Sequence, residues 1–256
     1  MKYNRLLVLI TPVGVLILLE LFIIKPKLIY LALGLAFILV TFTLWRFIKD
    51  VQSELRKLYF INSLVLPTLF LVSVSSFLIL LSSKLLVQLL VLGTVVFIYV
   101  YLRTIYNHSK RLKVYHNVTL ENVSSFGNLL VFFFASSAVY GLQSFLNLQI
   151  WIIILAIMPI IFLVFYQLLW AYKINFKFGL VFILIGSVIL IELAWSISFL
   201  PLNYIVSGLV LAICYYGIAG FIRYYLTGIL NKKAIKLYIA TIIISIFLIF
   251  LTAQWL

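Results

Sequence analysis

Acidic residues are scarce in this chain: five Asp and Glu stand among 256 residues, against nineteen Lys and Arg. Asp occurs once, which excludes the paired Asp motifs of magnesium-diphosphate chemistry. Cysteine also occurs once, at Cys214, so neither an intrachain disulfide nor a thiolate metal cluster is available. The two histidines, His108 and His116, share one basic segment, and no HExxH, Gly-x-Ser-x-Gly or P-loop sequence is present. No catalytic residue, cofactor or metal site is assigned from the sequence. Charge as a whole is rare at 9%, far below the quarter usual in soluble domains.

What fills the chain instead is apolar. Hydrophobic residues make up 66% and the mean hydropathy is +1.30. So few polar groups would not cover a soluble core of that size, whereas a bilayer supplies the apolar solvent. The expectation is a single integral membrane domain over residues 1–256. The net charge of +14 does not point to nucleic acid, because the basic residues lie between apolar runs.

A hydrocarbon core takes about 20 apolar residues per helix. Nine windows qualify: Leu6–Ile24, Leu28–Phe47, Tyr59–Leu81, Leu85–Leu102, Phe126–Leu146, Ile150–Tyr172, Phe178–Phe199, Tyr204–Ile222 and Leu237–Trp255. Their apolar character is continuous and does not alternate, which excludes a transmembrane barrel. The predicted fold is therefore all-α, a polytopic bundle of about nine spans. Sixteen of the nineteen Lys and Arg then fall on the amino-terminal side, and Lys25, Lys27 and Lys84 on the other. The positive-inside rule makes the amino terminus cytoplasmic and, with nine spans, the carboxyl terminus external. Trp45 and Trp170 fall near the inner interface, and Trp151, Trp195 and Trp255 toward the outer one, as amphipathic rings favour.

Three of the acids, Asp50, Glu54 and Glu121, lie among basic residues on the inner side. Glu20 and Glu192 do not. Each lies fourteen residues past the start of its window, at Leu6 and Phe178, in spans running the same way. A carboxyl well inside a span costs about 2.5–3.5 kcal/mol on insertion scales. Glu192 is therefore expected to face the bundle interior in neutral form, hydrogen-bonded to uncharged partners. The same arithmetic brings Ser73, Tyr140 and Thr252 to that level, with Ser75, Ser76 and Gln143 slightly beyond. The candidate intramembrane polar site is thus Glu192, Glu20, Ser73, Tyr140 and Thr252, opening outward. Its functional reading is a proton, cation or substrate site; its structural reading is interhelical packing, with Glu20 reaching the interface near Lys25. Pro67 and Pro159 lie within spans and mark either kinks or broken helices of a transport path. Ser137-x-x-x-Gly141 and Gly208-x-x-x-Ala212 have close-packing spacing and are expected to seat neighbouring helices within the chain.

The segment Glu192-Leu193-Ala194-Trp195, followed by Phe199-Leu200-Pro201-Leu202, resembles a pattern in uncharacterised multi-span proteins of small-genome bacteria. The resemblance covers spans seven and eight, and it implies a bacterial plasma-membrane setting without adding site residues. Three functions fit: a non-enzymatic membrane component such as a scaffold, assembly factor or complex subunit; a small permease or lipid-handling transporter with Glu192 as its protonatable site; and an intramembrane enzyme acting on a lipid-linked substrate. Expected partners are the bilayer, anionic lipid headgroups at the basic inner face and a membrane protein of the same complex.

Overall fold

Long apolar runs leave the backbone only one way to satisfy its own N–H and C=O groups without water, and each run forms a helix. The computed structural model describes residues 2–49, 53–109, 119–228 and 231–252. Among them are nine α-helices: α1 (Lys2–Ile24), α2 (Ile29–Ile48), α3 (Ser53–Leu78), α4 (Lys84–Ser109), α5 (Leu120–Leu146), α6 (Ile150–Ala171), α7 (Phe176–Ile197), α8 (Tyr204–Leu226) and α9 (Lys232–Thr252). Each predicted window overlaps one of them; residues 253–255 of the ninth window, Trp255 included, lie outside the described residues. Eight are long and apolar enough to cross a membrane; α9 contributes a described apolar stretch of 17 residues, Ile235–Leu251. Several helices continue past their apolar windows at the basic ends. Residues 103–109 of α4 and 120–125 of α5 remain helical because interfacial polar side chains tolerate helical backbone as well as apolar ones do.

The chain divides into two compact units, Met1–Gly127 and Asn128–Leu256. In the first unit α1 packs on α2 and α4, and α3 packs on both α2 and α4. A single 3-10 turn at Pro26–Leu28 joins α1 to α2. One polar contact ties these two helices: the buried hydroxyls of Thr11 and Thr43 lie 2.6 Å apart. The Thr43 hydroxyl donates to Leu39 O at 2.8 Å, so Thr11 is the donor between the two.

Pro67 lies inside α3 and removes the N–H that would bond the carbonyl four residues back, that of Ser63. The hydroxyl of Tyr101, fully buried on α4, donates to that freed carbonyl at 2.7 Å. Pro67 is accordingly a packing feature, and its loose carbonyl is tied to the neighbouring helix.

In the second unit α7 packs on α6 and α8, and α8 packs on α6 and α9. Side-chain caps start two of these helices. Asn175 Oδ1 accepts from Lys177 N at 3.1 Å, and Asn203 Oδ1 accepts from Ile205 N at 3.0 Å. Gly208 brings α8 against α5 closely enough that a Cβ there would stand 2.7 Å from Ser137 N and 2.8 Å from Ser137 Cα. The two small-residue motifs of the sequence meet each other within the chain, as expected of them.

Candidate functional site

The five residues of the predicted polar layer divide between the units. Glu20 and Ser73 belong to the first. Tyr140, Glu192 and Thr252 belong to the second. Thr252 ends α9, and its side chain lies outside the described residues. Ser73 is buried within α3. Glu20 is half-buried four residues before the end of α1, and Gln88 Nε2 of α4 donates to its Oε2 at 3.4 Å. That position, close to the end of both helices, agrees with the interfacial reading of Glu20.

Tyr140 is buried, and its hydroxyl donates to Ala194 O on α7 at 2.9 Å. Ser198 Oγ donates to the same carbonyl at 2.9 Å. These two side chains form part of the wall of a cavity of about 380 Å³ between the ends of α5 and α8 and the α7–α8 connection. Gln143 and Ser144 line it from α5, Asn147 from the residue just after that helix, and Tyr204 and Ser207 from α8. Asn147 holds a left-handed backbone (φ 48°), a conformation that Asn adopts more readily than most residues. The connection itself folds tightly about Pro201, with Leu202 N donating to Leu200 O at 2.8 Å. The volume suits a small polar solute or a lipid headgroup. Of the residues expected at one polar level, Tyr140 and, slightly beyond it, Gln143 line this cavity.

Glu192 is not part of it. Ala194, whose carbonyl binds Tyr140, is 1% exposed, whereas Glu192, two residues away and so on the opposite face of α7, is exposed. The expectation of an interior-facing carboxyl is corrected here. The reason is local: α7 buries a face of small and medium residues (Gly179, Ile183, Gly186, Ser187, Leu190 and Ala194), and Glu192 falls outside that arc. It falls instead on an exposed line of Val181, Ile185, Val188, Glu192, Trp195 and Phe199. The intervals are alternately four and three, the spacing of a coiled-coil seam. Glu192 lies five residues before Ile197, roughly 7.5 Å from the helix end at 1.5 Å per residue. Helical side chains lean toward the amino terminus, so this one leans away from the nearer end of α7.

A third polar group lies at the other end of the second unit. Arg223, half-buried near the end of α8, donates from one terminal nitrogen to Tyr172 Oη at 2.8 Å and from the other to Tyr238 Oη at 3.1 Å. Its guanidinium also stands 4.6 Å from the centroid of the Tyr224 ring and 5.3 Å from that of Tyr172, within cation–π range. Tyr238 is seated by Gly220, where a Cβ would come within 2.6 Å of its ring. Charge patterning alone reads Arg223 as an ordinary inner-face marker. The overlooked signal is the coincidence of Arg223 with Tyr172, Tyr224 and Tyr238 at the basic ends of three spans, with no acid nearby in sequence.

Among the described residues no group of three or more His, Cys, Asp or Glu gathers to hold a metal. His108 lies exposed near the end of α4, and His116 lies outside the described residues. No curated protein and no solved structure matches the chain. A family model described as "Protein of unknown function (DUF5656)" matches residues 10–252, nearly the whole sequence, and the chain belongs to that family.

Proposed function

We propose that this protein is a non-enzymatic subunit of a membrane complex, and that the exposed seam of α7 receives a transmembrane helix of another protein. The observation that carries the proposal is Glu192, a carboxyl on a largely apolar outward face whose one polar neighbour a turn away, Ser196, bonds the Glu192 backbone carbonyl and not its carboxyl. Facing lipid, an acidic side chain costs about 2.5–3.5 kcal/mol at a helix centre and remains unfavourable a turn and a half from the end. Its lean toward the helix interior works against reaching the nearer headgroups. A partner helix supplying a cation or an amide donor at that level removes the cost and fixes the register, as one polar residue in a seam does elsewhere. The Lys and Arg residues of this chain sit at the ends of spans, so a second copy offers no cation at that depth and would meet Glu192 only through an amide such as that of Gln88 or Gln143. In this reading the amino terminus is cytoplasmic, the setting is a bacterial plasma membrane, and α9 crosses as a ninth span.

The test compares complexes extracted in mild detergent from cells carrying wild-type, Glu192→Gln or Glu192→Leu protein. The subunit reading expects one defined hetero-complex with wild type, weakened with Gln and lost with Leu, while the chain itself stays folded. An unchanged complex with Glu192→Leu removes Glu192 from the interface.

The cavity beside Tyr140 and Gln143 favours a second reading, the handling of a small polar solute or headgroup. Glu192, the protonatable site of such a permease, does not line that cavity. Proton-coupled uptake by the purified chain in vesicles, abolished by Tyr140→Phe with Ser198→Ala, would support this reading over the first.

A further inference from the structure

From the cluster around Arg223 we infer a second site, a receptor for a phosphate anion, formed by Arg223 with Tyr172 and Tyr238. It goes beyond the complex-subunit reading and uses none of the α7 seam.

The argument begins with charge. Arg223 is half-buried, and the partners it has among the described residues are neutral phenols. The only acidic side chain in residues 128–256 is Glu192. It lies sixteen residues beyond the start of α7, roughly 24 Å along the helix from the end where α6 hands over to α7. A guanidinium half withdrawn from water, with only phenols beside it among the described residues, retains its full charge and is complemented by an anion. Two of its five N–H donors go to the phenols, leaving three in a fixed fork. That fork matches the oxygens of a phosphate, which a planar guanidinium binds through two parallel hydrogen bonds.

A second observation concerns the backbone next to Tyr172. Lys173 holds a left-handed conformation (φ 55°) where α6 ends, with Lys173 N bonded to Trp170 O and Ile174 N to Leu169 O. This is the helix-ending position that glycine usually fills. The end of α8 follows that rule with Gly228 (φ 70°). A lysine at the glycine position carries a conformational cost, and Lys173 is exposed directly after Tyr172 in the chain. Both the guanidinium held only by phenols and the lysine in a glycine conformation put positive charge at this end of the second unit. The level is that of lipid headgroups, so a phosphodiester lipid and free phosphate share the chemistry the site would recognise.

The test uses the purified full-length chain in detergent and native mass spectrometry, with phosphatidylglycerol, diacylglycerol and inorganic phosphate as probes. We expect one phosphatidylglycerol per chain to survive activation that strips diacylglycerol. Arg223→Gln should weaken that binding at least tenfold. Tyr172→Phe combined with Tyr238→Phe keeps the rings and the cation and should weaken it about threefold or more, which guards against a folding failure in the charge variant. Competition by millimolar inorganic phosphate would identify free phosphate as the ligand; lipid retention undisturbed by phosphate would identify the headgroup. The proposal is overturned if phosphatidylglycerol and diacylglycerol are held alike and phosphate does not bind. It is equally overturned if both variants bind within twofold of wild type.

Discussion

Removing one hydroxyl, in Tyr101→Phe, isolates the consequence of a proline inside a packed helix. Tyr101 is fully buried and its hydroxyl reaches Ser63 O at 2.7 Å, the carbonyl that Pro67 leaves without its helical partner. The substitution keeps the ring, so almost no volume is lost and the cavity contribution is small. What remains is a carbonyl buried at a residue with 0% exposure. Leaving such a group unsatisfied costs about 1–3 kcal/mol. Side-chain hydrogen bonds within membranes average about 0.6 kcal/mol, with a maximum of about 1.7. The expected loss is therefore about 1–2 kcal/mol, a five- to thirtyfold change in the unfolding constant. The same change in a Pro67→Ala background should cost less than about 0.5 kcal/mol, because residue 67 then has an N–H for Ser63 O. Equilibrium unfolding in mixed detergent micelles, titrated with dodecyl sulfate and followed by tryptophan fluorescence, measures all four corners of this cycle. Equal costs for Tyr101→Phe in both backgrounds would refute the link between the proline and the tyrosine.

Other substitutions read other contacts. Gly208→Ala should destabilise by about 1–3 kcal/mol, because its new methyl meets the Ser137 backbone and a whole helix must move. Gly34→Ala, which would meet nothing within 4 Å, should be neutral or stabilising in the same unfolding assay. Thr43→Val removes both the hydroxyl accepting from Thr11 and the bond to Leu39 O, and should cost about 0.5–1.5 kcal/mol by the same assay. Lys173→Gly should stabilise the chain by up to about 1 kcal/mol, since glycine is free at that φ. The same change should weaken phosphate or phosphatidylglycerol binding, a trade visible by pairing unfolding with native mass spectrometry.

The helices were legible because a bilayer demands about 20 apolar residues per crossing, and the windows from Leu6 to Trp255 supply them with little ambiguity. Which way a residue faces was far less legible. A span such as α7 is apolar almost all round, so no stripe in the sequence separates the buried Leu190 from the exposed Val188. Glu192 was expected to seek the interior on energetic grounds; the small residues of α7 claimed the packed face, and the carboxyl was left on the other. Counting residues puts Tyr140 at the expected level and Gln143 slightly beyond it, and both line the cavity at the end of α5. The Arg223 cluster was hidden because positive charge at an inner helix end has a sufficient general explanation. Only the distances to Tyr172 and Tyr238 show that this arginine is held in place by phenols. The division at Gly127, inside α5, leaves no mark in composition either.

The most direct test of the complex-subunit reading is photo-crosslinking in native membranes from Val188 and Trp195, which flank Glu192 on the α7 seam. Leu155, exposed on α6, serves as the lipid-facing control. The account predicts one discrete adduct from both seam positions, none from Leu155, and its loss with Glu192→Leu. The crosslinked peptide should be a transmembrane segment carrying Lys, Arg, His, Asn or Gln level with Glu192. Lipid adducts alone at all three positions, or an adduct that survives Glu192→Leu, would contradict it.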